Sequence, residues 1–514
     1  MTLKGLIKKG MYYDSVSLMR VSKEINESEG VIDASVVMGT NENKAILNIA
    51  RLLLPEFENS SDTDLLVSVK AKNESLADKA LAKVDGILNE FSNKKDSNVE
   101  LQAASIYQAV KMLPGANLAL ISIAGKYATC EAFKALQLGL HVMIFSDNVS
   151  IEDELKLKTF AREKGLLVMG PDCGTAIING IPLAFANVVN KGNIGLVAAS
   201  GTGLQEVSSI ISNLGGGISQ AIGTGGRDVK EAIGGIMFIE SIKALKGDPA
   251  TEVIVLISKP PDNSVLQKIN DELKGCPKPI VSVLLGGDAR LMSESGAYIA
   301  GNLEEAAYMA FQLSMGDTEL KNLNTSDKKT DEYIKLAKEI SAHTGGKYIR
   351  GLYSGGTLCD EAQLILKDII GPVFSNTPIF PDHQLGSVWK SKKHTMLDLG
   401  DDEFTTGRPH PIIDFSLRNK RMLEEAVNPE TAVILFDVVL GYGSHMNPVS
   451  ELVPVIRKAS SRSPNIVFIC SVTGTEKDPQ NRTFVINELE KSGVRVMPSN
   501  VAASMLAGFI VKYL

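Results

Sequence analysis

Five glycine turns hold the residues of this sequence that could do chemistry: Ser200-Gly201-Thr202-Gly203, Gly223-Thr224-Gly225-Gly226, Gly355-Gly356-Thr357, Gly441-Tyr442-Gly443-Ser444 and Gly474-Thr475. In an open parallel sheet, ligands gather where strands end and loops run into helix N-termini. Free backbone N–H groups and the helix dipole there favour an anion. Glycine in one such turn can serve backbone geometry alone; five turns point toward phosphate or carboxylate binding. None continues into the Gly-Lys-Ser/Thr of a nucleoside-triphosphate loop, and none is a full G-x-G-x-x-G fingerprint. A sixth stretch, GGDARLMSESGAYIAG at 286–301, has the shape of a loop that carries a reactive side chain. Its charged residues are Asp288, Arg290 and Glu294, and it has no histidine, cysteine or lysine.

These turns need rigid elements to aim them, and the hydrophobic pattern supplies parallel α/β domains. Residues 1–95 alternate strand-like and helix-like runs (GVIDASVVMG, then DLLVSVKA, then SLADKALAKVDGILNEF) and read as a small α/β sandwich of βαβ type. Residues 98–190 continue with NLALISI, HVMIFSD and LLVMG separated by helices, which predicts a Rossmann-like parallel sheet covered on both faces. Residues 193–315 hold NIGLVAA, TEVIVLIS and PIVSVLL, a flavodoxin-like set of strands. The polar run at 316–332 reads as a linker. Residues 345–514 return to parallel α/β with YIRGLYS, HTMLDLG, AVILFDVVL, NIVFICSV and VRVMPS.

Composition narrows the function class. A chain of 514 residues with 44% hydrophobic and 22% charged residues builds a full core in three or four domains. Its net charge of −7 argues against nucleic acid. No apolar run reaches membrane-span length and the N-terminus lacks a signal-peptide core, so a cytoplasmic protein is expected. Five cysteines without a CxxC pair predict reduced thiols and no metal site.

The runs MGPDCGTAIING, NIGLVAASGTGLQE and GTGGRD, with the strand before KPP, resemble the α subunit of succinyl-CoA synthetase. HTMLDLGD and AVILFDVVLGYGSHMNP resemble the C-terminal, flavodoxin-like domain of that enzyme's β subunit. The whole chain is more similar still to the FdrA family, through YYDSVSLMRVSKEI, GVIDASVVMGTNENK, GLYSGGTLCDE, GRPHPIID and VLGYGSHMNP. The synthetase resemblance implies that Glu294, in MSESGA, stands where a phosphoryl-carrying histidine would be. It places Lys259 of VLISKPP where the glutamate orienting that histidine would be, and pairs Lys259 with Glu294. No stretch resembles an ATP-grasp domain, and the turn that receives CoA has no recognisable counterpart. Nucleotide and CoA are therefore doubtful, and phosphate or carbamoyl phosphate enters as substrate.

The FdrA resemblance implies a subunit of a multisubunit oxamate carbamoyltransferase of allantoin degradation. That system interconverts oxalurate plus phosphate with oxamate plus carbamoyl phosphate. In this reading Ser200, Gly201, Thr202, Gly203, Gly225, Gly226, Gly355, Gly356 and Thr357 hold phosphate. His445 of GYGSHMNP, His410 of GRPHPIID and Asp172 of GPDCG are the acid–base candidates. Arg408 and Arg227 could grip a substrate carboxylate bidentately. Cys173 matches a cysteine of the synthetase turn and is a weak nucleophile candidate. Two other readings stay open, an NDP-forming acyl-CoA synthetase and a non-catalytic scaffold whose active site lies in a partner.

Overall fold

The computed structural model describes residues 1–514 other than 12, 14, 41–42, 45–46, 49, 94–102, 288–291, 293, 318–319, 321–324 and 406–408. Contacts divide it into two compact units, residues 1–104 with 402–409, and residues 105–401 with 410–514.

In the first unit, strands β1 (Thr2–Lys8) and β2 (Val31–Met38) flank β3 (Leu65–Ala71), and both pair with it antiparallel. β1 and β2 are thus parallel to each other, a split βαβ unit with β3 threaded between them. β3 reads LLVSVKA because it is covered on both faces. Val67 and Val69 pack with Val21, Ile25, Val84 and Leu88 beneath the helices, and Leu66 packs with Leu47, Leu52 and Phe57.

The described residues of the second unit form three sheets. β4 (Leu118–Ile121), β5 (His141–Ile144) and β6 (Val168–Met169) form a short parallel sheet, and helices Gly125–Gln137 and Ile151–Glu163 pack together on one of its faces. The hairpin β7 (Thr175–Ile178) and β8 (Ile181–Ala184) leaves that sheet and joins the next one through antiparallel pairing of β7 with β10. The sheet border therefore falls near residue 170, before the sequence boundary at 190. The hairpin's strands are too short to register as strands in the pattern.

The second sheet is built from β9 (Lys191–Ala198), β10 (Ile218–Gly223), β11 (Val253–Ser258), β12 (Ile280–Leu284) and β13 (Tyr298–Ile299). Its order is β13-β12-β11-β9-β10-β7-β8. The third sheet is parallel throughout: β14 (Tyr348–Tyr353), β15 (Phe374–Ser375), β16 (Thr395–Asp398), β17 (Thr431–Val439), β18 (Val467–Thr473) and β19 (Val494–Met497). Its order is β15-β16-β14-β17-β18-β19. β9 lies between β10 and β11, and β14 between β16 and β17, so the strand order reverses beside β9 and beside β14. A crevice opens at the carboxyl end of the strands at such a reversal.

One core joins the two larger sheets. Leu204, Val207 and Ile211 of helix Gly201–Asn213 share it with Leu358, Ala362 and Leu366 of helix Gly356–Ile370. Helix Asn500–Lys512, apolar almost all round, is buried among them. Part of the expected linker is helical: Thr325–Ser341 forms a helix whose Tyr333, Ile334, Leu336, Ala337 and Ile340 pack on this core. Its polar opening hides an apolar face that begins only later. Among the described residues no helix is long and apolar enough to cross a membrane.

Candidate active site at two facing helix starts

β9 and β14 both end in a tight turn that opens a helix, and the two helix starts meet. Ser200 caps the first helix, its Oγ accepting from the Gly203 N–H at 3.0 Å, and lies 2.6 Å from Thr357 Oγ1 of the second. Glycine is required by this approach. A Cβ at Gly355 would stand 2.9 Å from Thr202 Cγ2, and one at Gly203 would stand 2.4 Å from Ser200 Oγ. Two positive dipole ends facing each other repel unless negative charge lies between them.

The fold supplies part of that charge itself. Asp437, buried at the end of β17, accepts from Ser354 N–H at 2.7 Å, Ser354 Oγ at 2.9 Å and Gly355 N–H at 2.8 Å. Arg418 Nη1 donates to the Asp437 backbone O at 2.6 Å and to Oδ1 at 3.2 Å. Asp398, at the end of β16, accepts from Gly400 N–H through Oδ1 at 2.9 Å. Its Oδ2 lies against Gly356, where a Cβ would come within 2.5 Å. Among the described residues, the N–H groups of Gly201, Thr202, Gly356, Thr357 and Leu358 have no acceptor in the protein. The anion-binding donors that remain are among these five.

A cation stands beside them. Lys259 directly follows β11, and its Nζ lies 2.6 Å from Asp360 Oδ2 on the second helix. Burial works against the ammonium, but the Asp360 and Asp398 carboxylates outweigh it and hold the lysine's pKa above its ordinary value. Burial also raises Asp360. Asp398 is pushed up to about 7 by burial; Lys259 opposes that shift and Asp360 adds to it. Deeper along the helices, at matching positions, sit two buried glutamates. Glu206 accepts from the Thr473 hydroxyl and from Asn500 N–H at 3.2 Å. Glu361 accepts from Asn500 Nδ2 and from Leu303 N–H, both at 2.8 Å. Burial raises both, Glu361 to about 8.

The other expected site residues distribute as follows. Ser200–Gly203, Gly356 and Thr357 come together, but the Gly355 N–H is committed to Asp437. The turn with Gly225 and Gly226 is lined by protein: Gly225 packs on Pro171, and Thr224 O accepts from the buried Lys158. Arg227 is ion-paired with Glu154 at 2.9 Å, so its carboxylate partner is internal. Gln480 holds Gly441 through both N–H and O, and Asp478 takes the Thr475 N–H. Lys259 pairs with Asp360 rather than with Glu294, which is exposed and close enough to Lys274 to raise it. A strand-end lysine reaches the neighbouring helix more readily than a loop beyond the next strand.

His410 lies at the rim of the cluster, its Nε2 only 2.7 Å from where a Gly400 Cβ would be. Burial lowers it to about 4, so it is neutral, and its Nδ1 accepts from Ile412 N–H at 3.3 Å. His445 is a loop histidine: Nδ1 accepts from Asn447 N–H at 3.1 Å, the ring packs on Phe415, and Nε2 is 3.9 Å from Glu451. Asp172 is exposed in a left-handed turn at φ 53°. Cys173 is buried and pushed up to about 12 by burial, which makes it an inert thiol. Arg408, Asp288 and Arg290 lie outside the described residues. Asp360, Asp398 and Asp437 were not expected as site residues. For Asp398 and Asp437 the signal was an acid inside an apolar strand, as in MLDLGD and ILFDVVL; Asp360, on a helix, carries no such signal.

Fold and site define a protein built from CoA-ligase-type α/β domains, succinyl-CoA synthetase-like in its parallel sheets. Residues 352–510 match the family model described as CoA-ligase, and residues 189–286 the one described as CoA binding domain. Residues 1–104 match AllF, heavy metal-associated domain. The uncharacterized protein YahF of Escherichia coli (strain K12) is 42% identical over 511 residues, 99% of this chain and 98% of that one. The chain belongs to the YahF family. The succinate–CoA ligase [ADP-forming] subunit alpha 2 of Archaeoglobus fulgidus is 26% identical over 219 residues, 40% of this chain and 74% of that one. A dinucleotide-forming acetyl-coenzyme A synthetase of Ca. Korarchaeum cryptofilum is 16% identical, with 79% of this chain and 84% of that one covered and a TM-score of 0.34.

One group that these descriptions imply, a heavy metal, does not fit the residues present. Residues 1–104 contain no cysteine and no histidine, the soft and borderline ligands a heavy metal needs. Among the described residues, no group of three or more His, Cys, Asp or Glu could hold a metal ion. In the CoA-binding match, the turn at Gly223–Gly226 is packed on Pro171, and Arg227 beside it is ion-paired with Glu154. No step below is routed through a metal or through CoA.

Proposed function

We propose that this chain is an FdrA-type subunit of a carbamoyltransferase, interconverting oxalurate plus phosphate with oxamate plus carbamoyl phosphate. The reading rests on the meeting of the two helix starts at Ser200 and Thr357, which collects open N–H groups beside Lys259. The N–H groups of Gly201, Thr202, Gly356 and Thr357 hold the phosphoryl oxygens. Prepositioned donors of this kind also stabilise the charge that develops as the carbamoyl carbon becomes tetrahedral. Lys259 adds a mobile positive charge at the edge. No covalent enzyme intermediate is needed, which is consistent with Glu294 in place of a histidine and with the inert Cys173.

An NDP-forming acyl-CoA synthetase is the second reading, favoured by the CoA-ligase and CoA-binding matches. The two separate in one assay series. The chain is given oxalurate and inorganic phosphate, alone and with the proteins encoded beside it, and then ATP, CoA and succinate. Carbamoyl phosphate formed without nucleotide is the expected result. Acyl-CoA formed only with ATP, with no carbamoyl phosphate, would overturn the proposal.

A further inference from the structure

Phosphorolysis requires a proton on the departing nitrogen, and a group beside the phosphate cradle can deliver it. His445 is engaged by Asn447, Phe415 and Glu451 on its own loop and its neighbours. Asp172 is exposed in another turn. Asp398 is 7% exposed, ends the strand next to β14, and sets Oδ2 against Gly356, the first residue of the second helix. Its Oδ1 is fixed by the Gly400 N–H. One oxygen is thus anchored while the other lies against Gly356 at the start of the second helix.

Resting on the carbamoyl-transfer reading, we propose that Asp398 is the catalytic residue that shuttles the proton between phosphate and the leaving nitrogen. A phosphate oxygen forms the new bond to the carbamoyl carbon, and the carbon–nitrogen bond to oxamate breaks. The departing nitrogen takes its proton from the Asp398 carboxylic acid. The carboxylate so formed takes the proton that hydrogenphosphate carried, and the acid is restored with no net proton gained or lost. The reverse reaction uses the same two transfers. The groups facing Asp398 are Lys259 from the loop after β11, Asp360 and Cys359 from the second helix, Asp401 on its own loop, and neutral His410 across Gly400. Lys259 stabilises the carboxylate state, and the acidic groups with burial oppose it, so the proton can leave and return near neutral pH.

The test is Asp398→Asn in the full chain assembled with its partner subunits, assayed with oxalurate and inorganic phosphate. Asn keeps an oxygen for the Gly400 N–H but carries no transferable proton. Expected is a fall in kcat of about 10²- to 10⁴-fold, the usual range for a general acid or base, with KM for oxalurate little changed. The neutral-range limb of the wild-type pH profile should vanish with it. A folded variant that keeps its rate within a few fold and retains the limb overturns the proposal. If the variant does not assemble, the wild-type profile decides: a flat kcat/KM from pH 6 to 8 overturns it, and a limb that Asp360→Asn displaces supports it. No carbamoyl phosphate from the wild-type assembly at any pH overturns the carbamoyl-transfer reading itself, and this role with it.

Discussion

Lys259 and its carboxylates form the part of the site in which a change at one residue should be read at another. A half-exposed lysine gains little from one surface partner, but Asp360 is almost fully buried and needs a counter-charge more than Lys259 does. The ammonium therefore stays at the mouth of the cradle, shared between Asp360 and Asp398. Replacing Asp360 by Asn removes a like charge from Asp398 and leaves Lys259 to act on Asp398 alone. Both changes stabilise the Asp398 carboxylate, so the expected outcome is a shift of the neutral pH limb to lower pH. A pH profile of kcat/KM for Asp360→Asn against wild type measures it; an unmoved or raised limb would contradict the electrostatic assignment.

At the level of elements, the decisive feature is that two helices start against each other with only the small side chains of Ser200, Thr202 and Thr357 between them. Asp437 takes the Ser354 and Gly355 N–H groups, and buried Arg418 holds Asp437 in turn, so the second helix is pinned from β17. The glycines then set the approach distance. Gly355→Ala has no backbone strain to overcome at φ −103°, so its effect reports packing alone. Its Cβ would meet Thr202 at 2.9 Å, and overpacking of this kind costs about 1–3 kcal/mol. Denaturant unfolding should show a loss in that range, with a weaker apparent affinity for phosphate as the helix starts separate. Gly386→Ala, where an added Cβ meets nothing within 4 Å, is the control and should change neither.

Across the second unit, three elements converge on Asn500, whose backbone and side chain reach Glu206 and Glu361 from the two facing helices. This buried carboxylate pair makes stability depend on pH. Glu361 has a folded pKa raised from 4.5 to about 8, so its protonated form is favoured in the fold. Its contribution is full below about 4.5 and is lost as pH rises through about 8. Glu206 and Asp398, also raised, act with the same sign. His394 and His410, lowered to about 4, act with the opposite sign, and their contribution is lost only as pH falls from 6.5 toward 4. Wild-type unfolding temperature should therefore decline between pH 6.5 and 8.5. Glu361→Gln should flatten that decline, and scanning melts of both proteins across the range test it. A parallel decline in the variant would remove Glu361 as a cause.

The strands of the larger sheets were legible in the sequence because each is a continuous apolar run between turns. YIRGLYS, AVILFDVVL and NIVFICSV appear as β14, β17 and β18. The glycine turns were legible for the same local reason, since a strand running into a helix must turn tightly. Which turns remain open to an anion was not legible. Gly474-Thr475 and Gly441–Ser444 look like Ser200–Gly203 in sequence, yet Asp478 and Gln480 occupy the first two. The pairing of Ser200 with Thr357 joins residues 157 positions apart. The exchange of Glu294 for Asp360 as the partner of Lys259 likewise joins separate sheets. Strand and turn patterns are set by each segment's own backbone and burial, and the amino-acid sequence by itself determined those. Which side chain satisfies which N–H or charge depends on how the two sheets dock through their shared helical core, and only the tertiary structure decided it.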